Sequence, residues 1–313
     1  MLAIKMTTID GTPISSFSFG TMQFGENADL AESRKMYDVC RAAGINFFDT
    51  AYAYTGGKSE EILGQLAEPE RDQIIVATKC AMIGDSSAGN IRAQCDESLK
   101  RLDMDVVDIM YLHKFDDDTP LEESFETLAE LKKSGKIRYI GISNFSAWQT
   151  MKAQHVAESF GTSIAILQPM YNLVKRQAEV EILPMAINEG FSVAPYSPLG
   201  GGLLTGKYAD GAGTGRIADN DMYNARYKVD WMHETASQLS KLAAEIGVHP
   251  ATLAVAWVAA NEGITQPIIS ARSLEQLQPS LDAINYPMTD ALYAKITALS
   301  KTPALATDRL EEA

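Results

Sequence analysis

Residues 119–142, TPLEESFETLAELKKSGKIRYIGI, read as one helix handing directly to one strand. Leu121, Phe125, Leu128 and Leu131 recur at helical spacing. Pro120 pre-sets the entry, and Glu122 and Glu123 in the first turn complement the helix dipole. Gly135 stands where a left-handed residue closes a helix, and Ile137–Ile142 then runs on as a short buried strand. The alternation repeats along the chain. Apolar runs rich in Ile, Val and Phe fall at Ile45–Phe48, Ile74–Ala77, Val106–Leu112, Ile164–Leu167, Phe191–Ala194 and Pro267–Ile269. Amphipathic stretches such as Leu30–Ala43, Asn90–Leu102 and Leu274–Ile284 separate them, and Gly44, Gly190 and Gly247 again sit just past helical segments. With Phe17–Gly20 counted first, there are eight such strands.

Strands buried on both faces and joined by helical crossovers form a parallel sheet. Eight units over 313 residues suit a single closed (β/α)8 barrel spanning 1–313. No Gly-x-Gly-x-x-Gly follows an early strand, which weighs against a doubly wound dinucleotide fold. Two decorations are expected. Asp10-Gly11, between Ala3–Ile9 and Ile14–Phe19, is a hairpin signal, so an N-terminal β-hairpin is predicted. A long functional loop after strand 7 is predicted from Ser197 to about Trp231, and the acidic tail after Leu299 is expected to be mobile unless it docks.

The net charge of −14, with a pI near 4.8, argues against nucleic acid or an anionic membrane as partner. Cys40, Cys80 and Cys95 form neither a metal spacing nor an even disulfide set. The N-terminus lacks a signal-peptide core, and Ala251–Ala260 is too short to cross a bilayer, so a cytoplasmic protein with a small-molecule partner is expected. Oligomerisation is left open.

In a barrel the chemistry sits at the C-terminal ends of the strands. Asp49 follows Ile45–Phe48, Lys79 follows Ile75–Thr78, His113 follows Ile109–Leu112, and Tyr54 lies five residues beyond Asp49. Any one of these is more often an ordinary surface residue. Adjacent strands lie about 4.8 Å apart, so together they crowd an acid, an ammonium, an imidazole and a phenol into one pocket. That set suits carbonyl reduction. Hydride addition to C=O makes an alkoxide that must be protonated as it forms. Tyr54 is the expected proton donor, with Lys79 lowering its pKa from about 10. Asp49 would fix Lys79, and a neutral His113 would orient the carbonyl oxygen.

These residues also carry a resemblance to the aldo-keto reductase family, including its potassium-channel β-subunit branch. Phe47-Phe48-Asp49-Thr50-Ala51-Tyr52-Ala53-Tyr54, Thr78-Lys79 and Leu112-His113 resemble its catalytic segments. Gly141-Ile142-Ser143-Asn144-Phe145, Gln168-Pro169-Met170-Tyr171-Asn172 and Tyr196–Gly202 resemble further signatures. The similarity runs from about Gly11 to about Leu281. It implies that Thr21, Met22 and Asp49 line the cofactor site, that Ser143, Asn144 and Gln168 hold the nicotinamide carboxamide, and that Tyr196 stacks on the ring. Ser197, Pro198, Leu199, Gly200, Gly201 and Lys207 resemble the pyrophosphate loop, where glycines let backbone N–H groups approach phosphate; Arg216 is a further candidate. Ser270, Arg272 and Gln276 resemble the adenosine segment, and the Arg272 guanidinium suits a 2′-phosphate, favouring NADP over NAD. The chain departs from the family at Pro279-Ser280, where Glu-Asn is frequent, and at Ser270, where Gly is common.

Met22, Phe24, Met82, Phe115 and Trp231 are expected to wall the substrate pocket, with Tyr52 and Asp116 offering hydrogen bonds to sugar hydroxyls. A strand-end lysine also serves Schiff-base aldolases, but an Asp49 partner would keep Lys79 protonated. His113, His155, His233 and His249 show no His-x-His spacing for a metal hydrolase. The resemblance leaves two other roles: a cofactor-sensing regulatory subunit with little turnover, and a sugar dehydrogenase working oxidatively.

Overall fold

The apolar runs become strands buried at nearly every position, as a sheet covered on both faces requires. They are β1 (Ser18–Gly20), β2 (Phe47–Asp49), β3 (Ile75–Cys80), β4 (Val107–Leu112), β5 (Ile137–Ser143), β6 (Ile164–Gln168), β7 (Ser192–Val193) and β8 (Ile268–Ile269). The computed structural model describes residues 4–208, 217, 220–307 and 309. All ladders are parallel, in the order β7-β6-β5-β4-β3-β2-β1-β8. Between β7 and β8, Gln266 N donates to Val193 O at 3.1 Å and Ile268 N to Pro195 O at 3.0 Å, joining the two edges of the curled sheet.

Helices α1 (Leu30–Ala42), α2 (Lys58–Ala67), α3 (Ala88–Leu102), α4 (Leu121–Lys133), α5 (Ala147–Ser159) and α6 (Ile182–Glu189) alternate with the strands. After β7 come α7 (Asp221–Tyr227), α8 (Asp230–Glu245) and α9 (Pro250–Ala259), then α10 (Leu274–Leu281) and α11 (Asp290–Thr297) after β8. Side-chain caps fix several starts. Asp29 accepts from Glu32 N, and Ser146 and Gln149 form a full capping box at α5. No single helix among the described residues is long and apolar enough to cross a membrane.

The core divides in two. One cluster lies between the sheet and the helices; the other fills the barrel with Phe47, Ile75, Ala77, Ile109, Tyr111 and Ile166 among its members. The strand period of two sets which strand-end side chains point inward. Asp49 is two residues past Phe47, Lys79 is four past Ile75, and His113 is four past Ile109. Each therefore emerges on the inward face, above the apolar plug.

The predicted decorations differ from expectation. The N-terminal hairpin reduces to one antiparallel bridge, Thr7 to Pro13, around the Asp10-Gly11 turn. Thr8 N donates to Thr12 O at 2.8 Å and Ile14 N to Met6 O at 3.2 Å on either side of that bridge, and the short hairpin also closes the barrel base. Met6 joins the interior cluster, and Arg138 donates to Thr7 O at 2.7 Å and Thr8 O at 3.1 Å. The segment after β7 is not an uninterrupted loop: its described part carries a 3-10 stretch, Gly200–Thr205, and α7, capped by Asn220. Residues just past Leu299 dock, with the Lys301 ammonium 5.4 Å from the Trp231 ring centre.

Candidate active site

Asp49 and Lys79 are almost wholly buried, and Lys79 Nζ meets Asp49 Oδ1 at 2.5 Å. The same ammonium donates to Thr50 O at 2.6 Å and to the Tyr54 hydroxyl at 3.3 Å. Asp49 Oδ2 accepts from Gln168 Nε2 at 2.8 Å, so both carboxylate oxygens are engaged. Tyr54 opens a single 3-10 turn in the β2–α2 loop, with its ring 6.0 Å from that of His113. The four residues expected from the sequence thus meet.

Burial penalises the Lys79 ammonium, but the Asp49 charge and hydrogen bond with those of Tyr54 outweigh it and hold its pKa above the ordinary value. Burial lifts the Asp49 carboxyl against the pull of Lys79. Burial also raises the Tyr54 phenol, and Lys79 only partly offsets it. This reverses the sequence expectation that Lys79 lowers Tyr54 below its free value: desolvation of the phenolate is the larger effect. Burial, then Lys79 and Lys114, push His113 down to about 3, so its imidazole is neutral. The His113 side chain makes no hydrogen bond among the described residues, and its Nδ1 is buried without a partner.

Asp49, Tyr54 and His113 line a cleft of about 850 Å³, with Lys79 buried beneath them. Met22, Met82, Ser143, Asn144, Gln168, Tyr196, Ser197, Pro198, Leu199, Gly201, Lys207, Ser270, Arg272 and Gln276 all line it, as expected. Tyr196 Oη donates to Asn144 Oδ1 at 2.7 Å, and Asn144 Nδ2 donates to His113 O at 2.8 Å. Asn144 and Ser197 hold left-handed φ of 59° and 58°, a cost of about 1–3 kcal/mol each that clusters at functional sites. Ser146, not Asn144, caps α5, leaving Asn144 to the cleft.

Lys207 and Arg272 put positive charge on the cleft wall, which suits an anionic ligand. Gly200, Gly201 and Gly202 all take left-handed φ, and the Gly200 and Gly202 N–H groups are bonded within the loop, to Ser197 O at 2.9 Å and Leu199 O at 3.0 Å. A Cβ on Gly201 would lie 2.8 Å from Tyr223 Cδ1, and one on Gly202 would lie 3.0 Å from Lys207 Nζ. These glycines let the loop pack closely against Tyr223 and Lys207, which also line the cleft. Gly141 has another role: a Cβ there would run into the Tyr111 ring, so this signature glycine serves barrel packing.

Other expected residues lie elsewhere. Thr21 and Gly200 are buried behind the cleft wall, with the Thr21 hydroxyl on Ser59 Oγ at 2.9 Å. Phe24 is fully buried in the outer core, 5.8 Å from Phe19. Phe115 packs on Phe145 at 5.1 Å and Trp148 at 5.9 Å, and Trp231 sits on α8 under Lys301. Tyr52 stacks under Arg101 at 4.4 Å, and Asp116 accepts from Ser86 N at 2.8 Å and Thr119 Oγ1 at 2.6 Å. The structure thus moves Phe24, Phe115 and Trp231 into packing, because aromatic loop residues satisfy nearby apolar surface first. Arg216 lies outside the described residues. Sequence reasoning missed Gln23, Lys114, Met222, Tyr223, Arg226 and His249, which also line the cleft. Asn220 ahead of Tyr223 and Tyr227, spaced four apart, was the available sign of α7.

Residues 16–301 match the model of the aldo/keto reductase family. A probable voltage-gated potassium channel subunit beta of Arabidopsis thaliana is 36% identical over 88% of this chain and 89% of its own length. The L-glyceraldehyde 3-phosphate reductase of Escherichia coli K12 is 32% identical over 80% of this chain and 77% of its own. A glycerol dehydrogenase structure from Gluconobacter oxydans superposes with a TM-score of 0.79 at 29% identity, covering 92% of both chains. A parallel eight-stranded barrel, an acid–lysine–tyrosine–histidine cluster at its strand ends and a match across nearly all of its length place this chain in the aldo/keto reductase family, oxidoreductases of carbonyl and alcohol groups.

Proposed function

We propose that the cleft reduces an aldehyde or ketone to the alcohol using NADPH, with Tyr54 as the proton donor. The observation that carries this reading is the Lys79 ammonium joined at once to Asp49, Thr50 O and the Tyr54 hydroxyl. Family members use NAD(P)(H) generally, and the dinucleotide supplies the hydride. Tyr54, kept protonated by burial, gives its proton to the developing alkoxide, and Lys79 stabilises the phenolate left behind. Neutral His113 donates a hydrogen bond to the same oxygen and holds the carbonyl in place. Asp49 keeps Lys79 charged and oriented. Ser143, Asn144 and Gln168 hold the carboxamide edge, with Tyr196 against the ring. The Ser197–Lys207 loop takes the pyrophosphate. Arg272, with no ion pair among the described residues, takes the 2′-phosphate and sets the preference for NADP over NAD.

Fluorescence titration with NADPH and NADH, followed by a screen of aldehydes and aldoses, tests the reading. Tyr54→Phe is expected to lower turnover by roughly 10²–10⁴ while leaving NADPH affinity within about twofold. Substantial residual reduction would sink the assignment. The likeness to the Arabidopsis channel subunit supports a second reading, a cofactor-sensing subunit. Tight NADPH binding with no turnover of any carbonyl would favour it.

A further inference from the structure

The chain has 41 acidic residues against 27 basic ones, and most of its described arginines are tied to a carboxylate. Arg41, Arg71, Arg92, Arg101, Arg138 and Arg176 all carry ion pairs. Arg226 does not, although it lines the cleft; among the described residues its side chain meets only the Tyr223 ring, 5.5 Å away. Lys114, directly after His113, also lines the cleft without an ion pair among the described residues. Asp49, at the reacting end, is already neutralised by Lys79.

Both cations line the same cleft as Tyr54 and His113. Burial pushes the Tyr196 phenol up to about 12, and Arg226 is the strongest influence pulling it back. Lys114 likewise acts on His113. Tyr196 and His113 are themselves linked through Asn144. Two partly buried cations thus line the cleft that holds the proposed reaction centre. Of the residues expected to hold neutral sugar hydroxyls, Asp116 is engaged elsewhere and Tyr52 is not among those lining the cleft. Met22 and Met82 supply apolar wall between.

We propose that Arg226 and Lys114 select a short aldehyde carrying an anionic group, a carboxylate or a phosphate, at the end remote from the carbonyl. The proposal rests on the carbonyl-reductase reading of the same cleft. A guanidinium and an ammonium in a partly desolvated mouth bind such a group by charge-assisted hydrogen bonds. They also offset the repulsion that a chain of −14 exerts on an anion.

The test compares NADPH-dependent kcat/KM at saturating cofactor for butyraldehyde, succinic semialdehyde and glyceraldehyde 3-phosphate. Unphosphorylated glyceraldehyde is the neutral control for the last. At least one anionic substrate is expected to exceed its neutral counterpart by about tenfold or more, with the advantage shrinking as salt rises; whichever it is identifies the anion. Arg226→Met and Lys114→Met are each expected to cut the anionic-to-neutral ratio about tenfold, while Arg92→Met on the surface keeps it. A ratio near one in the parent, or a ratio that survives both substitutions, overturns the selection. So does a defect seen only as weaker NADPH binding, which would assign Arg226 to the dinucleotide. Absence of turnover on every aldehyde would remove the reductase reading itself, and this inference with it.

Discussion

Replacing Lys79 by Met separates what the buried ion pair does for stability from what it does for catalysis. The ammonium and the Asp49 carboxylate are both almost wholly inaccessible to solvent. Removing one member of such a pair strands the other and costs about 3–5 kcal/mol. Unfolding entropy of about 2.1 cal/mol/K per residue over this length is roughly 0.66 kcal/mol/K, so Tm should fall by about 5–8 °C. The loss depends on pH, and its sign comes from Asp49. Without Lys79, burial acts on the carboxyl nearly unopposed, so its folded pKa stands well above its unfolded one. A carboxyl of that kind favours the folded state at low pH and loses that contribution as pH rises through the folded pKa. The deficit of Lys79→Met against the parent should therefore be larger at pH 8 than at pH 5. Adding Asp49→Asn removes the stranded charge and should return more than half of the lost stability, while turnover stays at least about a hundredfold down in both variants. Thermal unfolding followed by circular dichroism at the two pH values gives the readout. Parent-like stability of Lys79→Met at pH 8, or a double variant weaker than the single one, would refute the buried-pair argument.

His113 is neutral with a pKa of about 3, so kcat should show no histidine break between pH 5 and 8; a break near 6.5 that vanishes in His113→Asn would contradict this. Because that folded pKa lies below the unfolded one, the stability His113 contributes is present above about 6.5 and fades as pH falls towards 3. A parent Tm that declines less below pH 6.5 than that of His113→Asn would count against it. Gly201→Ala sets a methyl 2.8 Å from Tyr223 Cδ1 at a φ of +66°, and should weaken NADPH binding by tenfold or more with little change in kcat at saturation. Parent-like affinity by fluorescence titration would show that the loop does not need the close approach.

Where the signal was local, the sequence was readable. Apolar runs of Ile, Val and Phe between amphipathic stretches specify eight buried strands, and the ladder confirms their order. The pleat then turns Asp49, Lys79 and His113 inward, because each stands an even number of residues from a barrel-filling apolar one. Substrate-wall expectations fared worse. Phe24, Phe115 and Trp231 are aromatic loop residues, and nothing local distinguishes a ring facing a cleft from one packed on a neighbour. Lys114 and Arg226 escaped notice for the complementary reason: a lone cation gains meaning only from the partners it lacks.

Local pattern was enough for the repeat, the number of strands and the side chains that stand at their ends, since burial period and chain order are local properties. The balance of charge in the cleft belongs to the folded barrel. Whether burial outweighs Lys79 at Tyr54, where the short Asp10-Gly11 hairpin docks, and which cations line the cleft all depend on contacts between segments distant in the chain. Desolvation and pairing are set by what surrounds a group in space, and the closed barrel supplies that surrounding.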